Sequence, residues 1–367
     1  MSGQAAIRLA ALTKQYPGAD RPAVDHLDLE MPAGEIVALV GPSGCGKTTT
    51  LKMLNRLIEP TSGTIEIDGR PVDELPVHEL RRGIGYVIQH TGLFPHKTVG
   101  ANIGTVPRLL GWDKKRIQER IDELGALVGL EPEMLRRYPG ALSGGQQQRV
   151  GVARALAADP PILLMDEPYS AVDPIVRARL QDELLDLQRN VHKTIVLVTH
   201  DVDEAIKLGD RVVILNVGGK LEQADTPAEL LANPASDFVA DFLGEDRGLK
   251  RLALLTVDEI VPVDGPIAEV GDAADVARDA MAEYHVDWFG VCRDQRMLGW
   301  TWGHELNGTV SDTNVRPFRS IVQPTNSLRN ALDGIVNSST NVAIVEDVDG
   351  RYRGMVRIED ISEGVRE

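Results

Sequence analysis

A parallel-sheet α/β domain carrying an inserted helical subdomain, followed by a smaller α+β module built in two similar halves, is the fold class this sequence predicts. Three observations carry it. Apolar runs at 36–40, 162–165 and 194–198 are unbroken and each stops at a polar or glycine-rich turn. Between Gln89 and Ala157 the apolar spacing becomes helical, and past residue 252 an order of helix, strand, turn and strand occurs twice at an offset of about 55 residues.

Unbroken apolar runs suit strands covered on both faces, as in a parallel sheet flanked by helices. The run Ile36–Val40 leads into Gly41-Pro42-Ser43-Gly44-Cys45-Gly46-Lys47-Thr48 and so into the helix-like Thr48–Leu54. This is strand, phosphate loop, helix, and it fits G-x-x-x-x-G-K-[ST], whose successive backbone N–H groups wrap a phosphate at a helix N-terminus. The spacing predicts ATP at Gly41 to Thr49, with Lys47 reaching the terminal phosphates and Thr48 ligating Mg²⁺.

The inserted segment, about 90–157, reads as helical from Ile117, Ile121, Leu124 and Leu127 at spacings of four, three and three. After it, the run at 162–165 ends in Asp166-Glu167. Two carboxylates at a strand end have separable tasks, Asp166 holding the metal and Glu167 activating the attacking water. Taken alone, such a pair is more often a strand end with solvated charges, and the neighbouring motifs reverse that.

Length and composition bound the alternatives. A chain of 367 residues suits two or three domains, and 43% hydrophobic with 26% charged residues suits packed cores. The net charge of −16 argues against nucleic acid, whose binders gather Lys and Arg along the phosphate backbone. Residues 251–367 hold 20 Asp/Glu against 11 Arg and no Lys, which marks that stretch as a separate unit. Two cysteines, Cys45 and Cys292, suggest a cytosolic protein without a disulfide framework. Met1-Ser2-Gly3-Gln4 opens no signal pattern, and no run is long enough to span a bilayer, so a membrane role is expected through a partner.

The phrase Leu142-Ser143-Gly144-Gly145-Gln146-Gln147-Gln148-Arg149 discriminates best. Ser143 with the Gly144-Gly145 backbone offers a second anion cradle at a helix start. Here the chain resembles the ABC ATPases over roughly residues 5–240. Ser143 lies 23 residues before Asp166, and His200 lies 34 after it. The resemblance implies a RecA-like P-loop core in which Ser143, Gly144, Gly145 and Gln146 complete the nucleotide site of the opposite subunit. It further implies that Glu167 and Lys47 are catalytic and that His200 positions water and γ-phosphate. Gln89 would sense metal and water, making Thr48, Gln89 and Asp166 the Mg²⁺ set. Asp173 would speak across the dimer, and Tyr16 would stack on adenine. Cys45 sits at a variable loop position and would serve through its backbone. A loop on one surface and a cradle on another cannot reach one nucleotide within a monomer, so a head-to-tail homodimer clamping two ATP molecules is expected.

The stretch Thr91-Gly92-Leu93-Phe94-Pro95-His96 after Gln89 resembles the importer branch, where it faces a helix of a separate transmembrane permease. Phe238–Gly244 with Asp246–Arg251 resembles the join found in importers of glycine betaine, carnitine, choline or proline, which continue into paired CBS domains. The implied layout is an ABC-type ATP-binding domain at 1–240, a linker at 241–252, and CBS-like repeats at 253–308 and 309–367. A dimerising or regulatory role fits the tail. It departs from nucleotide-binding CBS repeats, holding Trp302 and Glu305, then Arg357 and Asp360, where Thr and Asp are usual. The implied function is an ATPase coupled to import of quaternary-ammonium osmoprotectants, peripheral on the cytoplasmic membrane face and served by an extracytoplasmic solute-binding protein. An importer of another solute, and a soluble ABC ATPase with a non-membrane partner, are the alternatives.

Overall fold

The computed structural model describes residues 5–89, 92–170 and 172–364. The expectations touching Met1–Gln4, Thr91 and Ala171 therefore lie outside the described residues. The chain divides into two compact units, one ending at Leu243 and one beginning at Gly244.

The first unit contains strands β1 (Ala5–Lys14), β2 (Val24–Pro32), β3 (Ile36–Val40), β4 (Ser62–Ile67), β5 (Arg70–Pro71), β6 (Ile84–Val87), β7 (Ile162–Asp166), β8 (Thr194–Val198), β9 (Arg211–Asn216) and β10 (Lys220–Asp225). They form an antiparallel sheet, β2-β1-β4-β5, and a six-stranded sheet, β10-β9-β3-β8-β7-β6. In the latter every neighbouring pair is parallel except the edge pair β10–β9. Strands β3, β7 and β8 are buried at every residue, as unbroken apolar runs require when helices cover both faces.

Helices α1 (Lys47–Leu54) and α2 (Val77–Arg82) precede β6. Leu51, Met53 and Leu54 of α1 share one core with Ile7, Leu12 and Met31 of the antiparallel sheet and with Leu39, Leu164 and Val196 of the parallel one. Each such side chain contributes on the order of 2 kcal/mol by leaving water, so the helix behind the phosphate loop is clamped from both sheets.

Between the neighbouring strands β6 and β7 lie α3 (Val99–Ile103), α4 (Thr105–Leu109), α5 (Lys114–Leu127) and α6 (Gly144–Leu156), the expected helical insertion. The Asp113 side chain starts α5 by accepting from the Arg116 amide at 2.9 Å. Ile117, Ile121 and Leu124 are buried, but Leu127 is 37% exposed and Val128 takes its place inside. A 3.6-residue period carries the stripe from 124 to 128, so the expected position at 127 is corrected. Helices α7 (Pro174–Val191), α8 (Val202–Leu208), α9 (Pro227–Ala232) and α10 (Asp237–Leu243) complete the unit.

The expected linker, 241–252, is also corrected. Leu243 is fully buried at the end of α10. Helix α11 (Arg247–Leu254) belongs to the second unit, where its Leu252 packs with Leu328, Ala331 and Ile335. The join shrinks to residues 244–246, with Gly244 at a left-handed φ of 93° that stops α10.

In the second unit, β11 (Ile267–Glu269), α12 (Ala274–Glu283), β12 (Trp288–Arg293) and β13 (Arg296–Trp302) make one half. Strand β14 (Ile321–Val322), α13 (Leu328–Val336), β15 (Val342–Glu346) and β16 (Tyr352–Arg357) make the other, and α14 (Ile358–Gly364) follows. Each half is a three-stranded sheet whose first pair is parallel and second antiparallel. The repeat read from the sequence is thus a repeat of topology. Strands β11 and β14 escaped that reading because they span three and two residues, too short for a period to show. The turn through Asp349-Gly350 is wider than two residues: Asp347 Oδ1 accepts from the amides of Asp349 and Arg351, at 3.0 and 2.9 Å, and pins the loop. Separate cores fill the two halves, and a third, containing Trp288, Trp300, Ile344 and Met355, draws on both.

Candidate active site

Parallel strands deliver their loops to one edge of the sheet, and that is where the chemistry gathers. The phosphate loop follows β3, Gln89 follows β6, Glu167 follows β7 and His200 follows β8.

Within the loop, Gly41 and Gly46 have no tolerable substitute. At φ 152°, a Cβ on Gly41 would stand 2.1 Å from the Leu215 carbonyl oxygen; at φ 94°, one on Gly46 would stand 2.4 Å from that of Ala23. Lys47 is buried, and its Nζ donates to the carbonyls of Gly41 at 2.7 Å and Pro42 at 3.2 Å. The buried Cys45 Sγ lies 3.6 Å from the same Nζ, and its own amide donates to Pro42. Both cysteines of the chain are free and buried.

The Thr48 hydroxyl donates to Asp166 Oδ1 at 2.9 Å. Burial raises the Asp166 carboxyl above its ordinary range, while the Thr48 bond and the nearby Lys52 charge act against that. Tyr86 adjoins it, and burial together with the Asp166 charge pushes its phenol up. Glu167 occupies a left-handed conformation, φ 44°, with its amide donating to the Val198 carbonyl at 2.9 Å. That bend turns its side chain from the strand toward its neighbours. Gln89 Nε2 donates to Glu167 Oε2 at 3.2 Å, and His200 Nδ1 lies 3.4 Å from the same oxygen. A cleft of about 570 Å³ is lined by Ser43, Gly44, Lys47, Thr48, Glu167 and His200 among others.

The remaining expected residues are placed as follows. The Tyr16 hydroxyl is 3.5 Å from Thr49 Oγ1, and its ring is 40% exposed beside the loop. Ser143 caps α6 with a capping box, accepting from the Gln146 amide at 3.3 Å while Gln146 Oε1 accepts from the Ser143 amide at 3.0 Å. Ser143 and Gly144 are exposed, and a Cβ on Gly145 would meet Val176 at 2.9 Å. Asp173 caps α7 through the Val176 amide at 3.1 Å. None of Ser143, Gly144, Gly145 and Gln146 lines the cleft of its own chain.

Sequence reasoning missed the support behind His200. The Thr199 hydroxyl donates to the buried Glu204 at 3.1 Å and accepts from the Asp201 amide at 3.1 Å, and Asp201 pairs with Arg177 at 3.4 Å. Burial raises the Glu204 carboxyl to about 7. Its position in the first turn of a short helix marks a Glu as ordinary; only packing shows it enclosed.

A family model described as ABC transporter matches residues 24–170. The osmoprotectant import ATP-binding protein OsmV of Salmonella typhimurium is 45% identical over 97% of this chain and 95% of its own. The glycine betaine/carnitine/choline transport ATP-binding protein OpuCA of Bacillus subtilis is 56% identical over 66% of this chain and 63% of its own. Among solved structures, the dimeric post-hydrolysis state of the ATP-binding cassette MJ0796 bound to ADP and Pi is similar, with a TM-score of 0.54 and 34% identity. It covers 60% of this chain and 98% of its own. On this cleft and this likeness, the chain belongs to the ABC transporter family as one of its ATP-binding ATPases.

Proposed function

We propose that the chain is the motor subunit of an importer of quaternary-ammonium osmoprotectants such as glycine betaine, carnitine, choline or proline. The observation that carries the chemistry is the placement of one Glu167 oxygen between Gln89 and His200, at the mouth of a cleft walled by Lys47 and Thr48. The solute class rests on likeness to proteins named for osmoprotectant import.

ATP is the substrate. Its phosphates lie against the backbone N–H groups from Ser43 to Thr49, with Gly41, Pro42, Gly44, Cys45 and Gly46 shaping the loop. Lys47 turns from the Gly41 and Pro42 carbonyls toward the terminal phosphates, and Tyr16 stacks on the base. Thr48, Asp166 and Gln89 would hold Mg²⁺. The fit is sound: a hydroxyl and a carboxylate already converge at 2.9 Å, and burial raises the lone carboxyl, which a cation would relieve. Among the described residues no group of three His, Cys, Asp or Glu is set to enclose a metal. Mg²⁺ ordinarily takes only one or two carboxylates and completes its shell with neutral oxygens, phosphate and water. When bound, it supplies charge neutralisation on the phosphates.

Glu167 accepts a proton from the water that attacks the γ-phosphorus, while Gln89 and His200 fix the carboxylate and that water. Ser143, Gly144, Gly145 and Gln146 of a second copy close the site, with Asp173 nearby, so a head-to-tail homodimer opens and closes with hydrolysis. A separate transmembrane permease receives that motion, and a solute-binding protein outside the membrane feeds it. This puts the chain on the cytoplasmic face of the membrane. Among the described residues no helix is long and apolar enough to cross one. The halves at 253–308 and 309–367 act as a CBS-like dimerising or regulatory module. Reconstitution with its permease and binding protein tests the reading: ATP-dependent uptake of labelled glycine betaine or choline is expected, and turnover of ATP with uptake of neither overturns the solute class.

A further inference from the structure

The second unit contains a cleft of about 680 Å³ that the ATPase reading leaves without a role. Its walls come from corresponding places in the two halves: the segments entering β12 and leaving β13, and those entering β15 and leaving β16. Corresponding positions differ in chemistry. Where one half pairs Trp288 with Trp302 across its strands, the other pairs Val342 with Arg357.

The aromatic wall is preformed. Trp288 is met edge-on by Phe318 at 6.0 Å and 75°, and Trp302 by Trp300 at 4.9 Å and 87°. Both rings are thereby held without a ligand's help, and Tyr284 lines the cleft beside them. Such neighbours in aromatic pairs limit rotation, which lowers the ordering cost of binding.

Charge then selects the ligand. Asp287 and Glu359 line the cleft, are exposed, and make no ion pair among the described residues. The one guanidinium present, Arg357, already donates to both oxygens of Asp360, at 3.1 and 2.7 Å. A phosphate or carboxylate entering here meets two free carboxylates and no free Lys or Arg of the lining. A cation meets those carboxylates and the negative faces of aromatic rings.

We infer that this cleft binds a small quaternary-ammonium cation, with Trp302 and Tyr284 against the methylated head, Trp288 in the buried core on which Trp302 packs, and Asp287 and Glu359 supplying the opposing charge. The same two acids disfavour a zwitterion bearing its own carboxylate. Choline is therefore bound more tightly than glycine betaine, whichever solute the transporter carries.

Calorimetric titration of the full chain with choline chloride, at ionic strength matched with sodium chloride and without permease or nucleotide, tests this independently of transport. Saturable binding of one cation per chain is expected, weaker for glycine betaine. Trp302→Ala, and Asp287→Asn combined with Glu359→Gln, each weaken choline by about tenfold. The charge pair is exposed, so that double variant reads the site even where loss of Trp302 disturbs packing. Heat that does not saturate, affinity unchanged in the double variant, or displacement of choline by AMP each overturns the inference.

Discussion

The Thr48 hydroxyl and the Asp166 carboxylate meet at 2.9 Å across 118 residues of sequence. One belongs to the helix that closes the phosphate loop, the other to the end of β7, so the bond joins two strand ends that β8 separates in the sheet. It also marks a mismatch. Burial raises the Asp166 carboxyl, and the Thr48 and Tyr86 hydroxyls with the nearby Lys52 charge only partly answer its charge. A divalent cation between Thr48 and Asp166 would answer it fully.

Asp166→Asn is therefore expected to lower magnesium-dependent ATP turnover by about a hundredfold or more, while nucleotide affinity measured without magnesium stays near the parent value. Steady-state assays and fluorescence titration separate the two effects.

Glu167→Gln retains the shape that accepts from Gln89 and meets His200 but loses basicity. Turnover is expected to fall by about 10²–10⁴, with ATP binding intact and a dimer accumulating on ATP in size-exclusion runs. A steady-state rate close to the parent's would refute Glu167 as the base.

Gly41 and Gly44 make an internal comparison, both having positive φ. A Cβ on Gly41 would collide with the Leu215 backbone at 2.1 Å, whereas one on Gly44 meets nothing within 4 Å. Gly44→Ala should cost about 1–2 kcal/mol from left-handed strain alone, and Gly41→Ala about 3 kcal/mol or more from strain plus backbone displacement. Urea unfolding of the two variants checks the order.

Glu204 carries a pH signature. Burial raises its carboxyl to about 7, against the Thr199 bond and the Arg177 charge, with Asp201 and Glu167 adding to the rise. A raised acid is favoured neutral in the fold. The stability this allows is whole below the ordinary carboxylate range and is lost as pH climbs through about 7. Glu204→Gln keeps an acceptor for Thr199 without titrating, so its stability relative to the parent should improve by on the order of 2 kcal/mol between pH 5 and pH 8. A constant difference across that range would contradict the assignment.

Much of this was legible in linear order. The loop at Gly41–Thr48, the acid pair at 166–167 and His200 could be read because each follows an apolar run, and a parallel sheet puts the ends of such runs on one edge. The repeat past residue 252 was legible because helix and hairpin recur at nearly constant offset. Boundaries fared worse. Leu127 gave way to Val128, and the join contracted to 244–246, since only packing tells which face of a helix is covered and which unit owns it.

Residue type and spacing thus set the expectations: a phosphate loop, a metal-seeking acid, a base and a second cradle, all local patterns dictated by backbone geometry. Enclosure was decided in three dimensions. Glu204 is an unremarked surface residue until Thr199 and the sheet close over it, and Trp288, Trp302 and Tyr284 are scattered aromatics until one hairpin and the end of the helix before it bring them to one cleft. Burial and convergence depend on contacts between residues far apart in the chain, and no local pattern encodes those distances.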